Sequence, residues 1–126
     1  MKTSSNFWVD YHFIDDQTIE MAYKENCFID EHAAEENNKL YLEMTKHLNK
    51  LKVLVTLANY MEVSTRGLVV IQRFDKDDEA RIIKEAIVRP SYMAKVLSYV
   101  YFKMFTPSFE FRLFNDRKSA VNWLKG

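Results

Sequence analysis

Ser64, Thr65 and Arg66 stand in a row between a strand-like run, KVLVTLAN, and a segment with helical periodicity, LVVIQRF. A Ser or Thr placed directly before a helix accepts hydrogen bonds from backbone N–H groups that the helix leaves free. The same place suits a phosphate, because a helix N-terminus stabilises an anion and a neighbouring guanidinium pairs with it. Ser64 and Thr65 are therefore read as helix cap or as phosphoacceptor, with Arg66 as the phosphate's partner. The two roles are compatible.

Other chemistry-bearing side chains are scattered. His12, His32 and His47 do not share a metal-ligand spacing, and His32 with Glu36, four apart on a helix, reads as a solvated pair, so no metal is expected. Cys27, followed by Phe28 and Ile29, reads as a small packed side chain rather than a nucleophile. The run DKDDEA lacks the glycine and distal glutamate of a calcium loop and reads as a solvated helix start. In RLFNDRK, at 112–118, Asp116 interrupts the cations, and no nucleic-acid partner is expected. Gly67 and Gly126 are the only glycines, so there is no glycine-rich phosphate loop, and no cofactor is expected. No acid, base and nucleophile converge, which leaves an enzyme as the least favoured class.

The elements that would position these groups follow from periodicity. FWVDYHFI at 7–14 and TIEMAYKE at 18–25 alternate apolar and polar residues around a DDQ turn, which predicts an opening β-hairpin. From about Asp30 to Lys50 the apolar residues move to helical spacing, with Glu31, Glu35 and Glu36 in the early turns where anions suit the helix dipole. VLVTLA at 53–58 is short, β-branched and apolar, as a strand covered on both faces should be. A helix over 64–74, a short turn or helix in KDDEARII, and a buried strand, EAIVRP, from Glu85 to Pro90 come next. Ser91 caps a helix over 92–105, FEFRLF at 109–114 forms the last strand, and Asp116 starts a terminal helix. The order ββαβαβαβα implies right-handed crossovers and a largely parallel sheet of about five strands, joined by one antiparallel hairpin.

The helix SYMAKVLSYVYFKMF carries more apolar surface than one stripe. Tyr99, Phe102 and Phe105 extend it beyond the core-facing positions, so something should cover them. The cover is a neighbouring segment of the same chain, a second protein or second copy, or an apolar ligand in a pocket.

Chain length and composition narrow the setting. At 126 residues, with 48% hydrophobic and 29% charged, the chain fits one globular domain with a real core. Lys plus Arg equals Asp plus Glu at 18 each, so no overall field draws it to nucleic acid or acidic lipid. No apolar run approaches the length of a membrane span, the opening lacks the continuous apolar stretch of a secretory signal, and one cysteine cannot form an internal disulfide. A cytoplasmic protein is the expectation.

The element order, the strand followed by a Ser/Thr-led helix, and the closing FRLFNDRKSAVNWL together resemble the SpoIIAA-like proteins, a branch of the STAS and SEC14-like superfamily. Small bacterial members share an ending of the type Phe, Thr or Asn, Asp, then Ala and Trp-Leu, which Phe114, Asn115, Asp116, Ala120, Trp123 and Leu124 match. The likeness is good over roughly 50–126 and rests mainly on element order before that. In STAS proteins that antagonise anti-sigma factors, a serine at this strand-to-helix loop, in a pattern like Asp-Ser-Ser-Gly-Leu, is phosphorylated and controls binding. Here the place reads Val63-Ser64-Thr65-Arg66-Gly67-Leu68, with the hydroxyls and the Gly-Leu pair but without the acid.

The sequence thus predicts a single α/β domain acting as a non-enzymatic regulatory or protein-interaction module, with a protein partner or as a homodimer. The competing prediction is a small carrier for an apolar or lipid-like ligand. An interaction module would place Tyr99, Phe102 or Phe105 in an intermolecular contact, whereas a carrier would arrange them around a cavity.

Overall fold

The computed structural model describes residues 3–126. Strands β2 (Val9–Asp15) and β3 (Thr18–Tyr23) form the opening antiparallel hairpin, and β5 (Leu51–Thr56), β7 (Ile82–Val88) and β8 (Glu110–Phe114) extend it in parallel. A short strand β1 (Thr3–Ser5) pairs antiparallel with β2, giving a sheet of order β1-β2-β3-β5-β7-β8. The sheet therefore has six strands rather than about five. TSS carries no apolar alternation, and β1 is held by backbone pairing alone, so periodicity could not reveal it.

A second departure is a two-stranded parallel sheet, β4 (Phe28–Ile29) with β6 (Glu62–Val63). It is too short for any pattern, yet it fixes the loop that leads into the Ser64 region. Phe7, in phase with Val9, Tyr11 and Phe13, precedes β2 and is exposed, while those three are buried.

Four α-helices cover the sheet: α1 (Glu31–Thr45), α2 (Thr65–Asp78), α3 (Tyr92–Met104) and α4 (Arg117–Lys125). Each begins with a side-chain cap: Asp30 accepts from the Ala33 N–H, Ser64 from Gly67, Ser91 from Ala94 and Asp116 from Ser119. Such caps satisfy donors that no helical carbonyl reaches, at about 1 kcal/mol each. α1 stops at Thr45, short of Lys50, where Arg81 Nη1 donates to the Thr45 and Leu48 carbonyls at 3.0 and 2.9 Å. α2 runs a turn beyond Phe74, and a 3-10 turn (Glu79–Arg81) leads into β7, which starts at Ile82 rather than Glu85.

Strand parity sorts the core. Ile19, Val53 and Ile87 face α1, α2 and α3, where Ala34, Tyr41, Met44, Ile71 and Leu97 pack against them. Leu54, Ala86 and Val88 face the other way, onto Ala120 and Leu124 of α4. Lys52 and Lys84, on that second face, donate to the Leu124 and Trp123 carbonyls at 2.8 Å each, and cations at a helix C-terminus offset its dipole. The residues of the FNDxxxAxxWL ending are thus a cap and a packing surface: Asp116 closes the helix start, and Ala120 and Leu124 are buried.

α2 sits unusually close to its neighbours. A Cβ on Gly67 would collide with the Ile29 carbonyl oxygen of β4, so only glycine lets the first turn of α2 approach this far.

Candidate functional site

The Ser64 loop lies where the sequence predicts, between a strand and a helix. The Gly67 N–H donates to Ser64 Oγ at 3.0 Å, and the Ser64 N–H donates to the Ile29 carbonyl at 2.9 Å. Ser64 is half-buried, while Thr65 and Arg66 are exposed. They border a shallow groove between the starts of α1 and α2, whose other wall holds Asp30, Glu31, His32 and Glu35. A phosphate there would meet Arg66 but also three carboxylates, and Ser64 Oγ performs the capping task that Asp30, Ser91 and Asp116 perform elsewhere.

The aromatic helix divides. Tyr99 is 61% exposed, with Lys103 Nζ 5.0 Å from its ring centre, and it shares the outer face of α3 with Tyr92, Val96 and Val100. Phe105, in contrast, is buried, and Phe102 stacks on Phe111 of β8 at 4.6 Å between ring centres. Of the three candidates for an intermolecular contact, Tyr99 is thus the one presented on the outer face, while Phe102 packs on β8 and Phe105 is buried beside Tyr101.

Phe102 also borders a feature that the sequence did not announce, a partly enclosed cavity of about 130 Å³ between the sheet and α1, α2 and α3. Its walls are mostly apolar, including Val53, Val55, Ile71 and Leu97. Three carboxyl groups break that pattern: Asp75 and Asp78 from α2 and Glu85 from β7. The Tyr101 hydroxyl donates to Asp75 Oδ2 through a short hydrogen bond. Glu85 has no hydrogen-bond or ion-pair partner among the described residues, and Asn37 Nδ2, buried at the α1 wall, also lacks one.

Electrostatics follow from this placement. Glu85 retains some accessible surface because part of its side chain faces the cavity, yet its carboxyl lies deep inside the protein. Burial holds it well above the usual carboxylate range, and repulsion from Asp75 adds to the shift. Asp75 is pushed up to about 7 by burial, against the Tyr101 hydrogen bond, which favours its ionised form. Both carboxyls thus hold their protons to higher pH than exposed ones would. Asp78, nearby on the same helix, differs: Arg81 Nε donates to it at 2.8 Å and the Tyr41 hydroxyl at 2.8 Å.

The opposite sheet face carries a different acid. Glu20 is 2% exposed and accepts from Arg117 Nη2 at 2.7 Å, from Thr56 Oγ1 at 2.7 Å and from His12 Nε2 at 2.9 Å. It lies shallow but covered, sealed by its own partners. Burial alone would raise its pKa, but the Arg117 and Thr56 hydrogen bonds outweigh that and hold it below the usual range. Cys27 is buried and its thiol is pushed up to about 11 by burial, which keeps it unreactive.

Asp75 and Glu85 were missed for identifiable reasons. Ending the helix at Phe74 put Asp75 in a solvated helix start, although Leu68, Ile71, Asp75 and Asp78 are spaced three and four apart on one face. Starting the buried strand at Glu85 left its carboxyl unexamined, although Glu85 is in phase with Ile87. A charged residue in phase with a buried stripe was the available signal.

Among the described residues, no helix is long and apolar enough to cross a membrane, and no cluster of three His, Cys, Asp or Glu side chains is placed to hold a metal ion. No curated protein matches the chain. A solved structure does: an uncharacterized protein of the DUF3478 family with a SpoIIAA-like fold, from Shewanella loihica PV-4, is similar at 15% identity and a TM-score of 0.68, over 96% of this chain and 98% of the other. That likeness gives the present chain a SpoIIAA-like fold and says nothing of its chemistry. A family model matches residues 12–126, and the chain accordingly belongs to DUF7793, a domain of unknown function.

Proposed function

We propose that the chain is a non-enzymatic ligand-binding module, a small carrier or sensor that takes an apolar, ring-sized molecule between its sheet and helices. The observation that carries this reading is the cavity itself. It is close in size to the engineered cavities of about 150 Å³ that take up benzene, and it has apolar walls with a few polar groups, as small-molecule sites do. Native interiors pack densely enough that a space of this size is uncommon without an occupant. The likeness to SEC14-like proteins favours the same class, by analogy of fold alone.

Toluene titrated into the ¹⁵N-labelled chain tests it. Amide shifts should cluster at Val55, Ile71 and Phe102, and Val55→Phe, which fills the space, should abolish them while the rest of the spectrum stays folded. A titration with no shift at these positions refutes the reading.

A regulatory, protein-interaction role is the second reading, and the outer face of α3 favours it. Tyr92, Met93, Val96, Tyr99, Val100 and Met104 are each at least 41% exposed there. In this role the Ser64 loop is a cap whose phosphorylation would regulate binding. Light scattering at high concentration and site-resolved mass spectrometry at Ser64 and Thr65 address the two halves of that role.

A further inference from the structure

Resting on the ligand-binding reading, we infer that the cavity selects an organic cation, a molecule with a ring-sized apolar body and a protonated amine that sits between Asp75 and Glu85. Three facts converge on that class. Asp75 and Glu85 enter the wall of one cavity from two elements, α2 and β7. No Lys, Arg or His among the described residues lines that cavity, and Arg81, which donates to the cavity-lining Asp78, is spent on it and on the Thr45 and Leu48 carbonyls. Glu85, enclosed by protein and unpartnered, contributes a carboxyl to the wall.

A carboxyl pair in apolar surroundings is satisfied by keeping protons, by a cation from the chain, or by a cation from outside. The chain supplies none, so the empty site keeps protons. A protonated amine would replace them, donating to both carboxylates at once in a medium where such contacts are strong. A metal ion fits less well, since no three ligating side chains converge and the remaining walls are hydrocarbon. An anionic or purely apolar ligand would leave Glu85 as it is, without a partner.

Benzylamine, benzyl alcohol and toluene are nearly equal in size and differ in charge and polarity. Titrated into the full-length chain at neutral pH, with binding followed at the cavity amides, benzylamine should bind at least tenfold more tightly than the other two. Glu85→Gln and Asp75→Asn should each remove most of that preference. Equal affinity of all three probes in the wild type overturns the inference while leaving the ligand-binding reading intact, and so does an amine preference that survives both substitutions. If none of the three binds, both fall. The wild-type comparison decides even if a variant fails to fold.

Discussion

Glu20 and Glu85 are acids on neighbouring parts of one sheet, two strands apart, and they face opposite layers. Glu20 lies near the surface but is covered by Arg117, His12 and Thr56, so its charge is compensated and its pKa lowered. Glu85 lies deep, has no such partners among the described residues, and faces a space. The contrast separates two uses of a carboxylate within one fold. One joins a terminal helix to a strand, and the other is held in reserve at a cost to stability.

The pH dependence of unfolding should show the largest difference between them. Asp75 has a folded pKa of about 7 against an ordinary 3.8, so between those values the folded protein holds a proton that the unfolded chain has released. Stability contributed by the protonated group is complete below the unfolded pKa and is lost as pH rises toward the folded one, at up to about 1.4 kcal/mol per pH unit for each proton. Glu85, shifted in the same direction, adds to that loss. Glu20 acts in reverse: its lowered pKa contributes stability above its ordinary 4.5 that disappears as pH falls. Denaturant titrations over pH 3 to 8 should find that Asp75→Asn flattens the neutral limb and Glu20→Gln the acid limb. Identical slopes in the two variants would erase the distinction.

Arg117→Ala comes next in size. Removing the partner of a buried carboxylate typically costs several kcal/mol, but the Arg117 side chain is 50% exposed, so the expected loss at pH 7 is about 2 kcal/mol. A loss below about 0.5 kcal/mol by urea unfolding would mean that Glu20 relies on other contacts. The smallest effect has the opposite sign. Glu85→Leu should raise stability by about 1 kcal/mol, because it removes a polar group that the interior does not satisfy. A destabilised variant would show that Glu85 is structural and would weaken its contrast with Glu20.

Much of the architecture was legible because burial imposes periodicity. Val9, Tyr11 and Phe13 alternate, VLVTLA announced the central strand, and Ser91 and Asp116 marked helix starts by the chemistry of capping. β1, β4 and β6 were illegible because three residues or two hold no period and backbone pairing leaves no mark on side-chain type. The Ser64 loop was visible for the same reason as the other caps. The cavity was not, because an empty volume is a property of how three helices settle on a sheet rather than of any local run. Its polar end left a trace in Asp75 and Glu85, but that trace becomes readable only once the register of α2 and the start of β7 are right.

Gly67 has a mechanical consequence for that register. It pins the first turn of α2 against the backbone of β4, and Asp75 follows eight residues later on the same rigid rod, about 12 Å along its axis. Contact at the pin is a fulcrum: an added methyl would tilt the rod there, and the far arm would swing Asp75 toward or away from Glu85. The spacing of the two carboxyls is therefore set by a residue that touches neither.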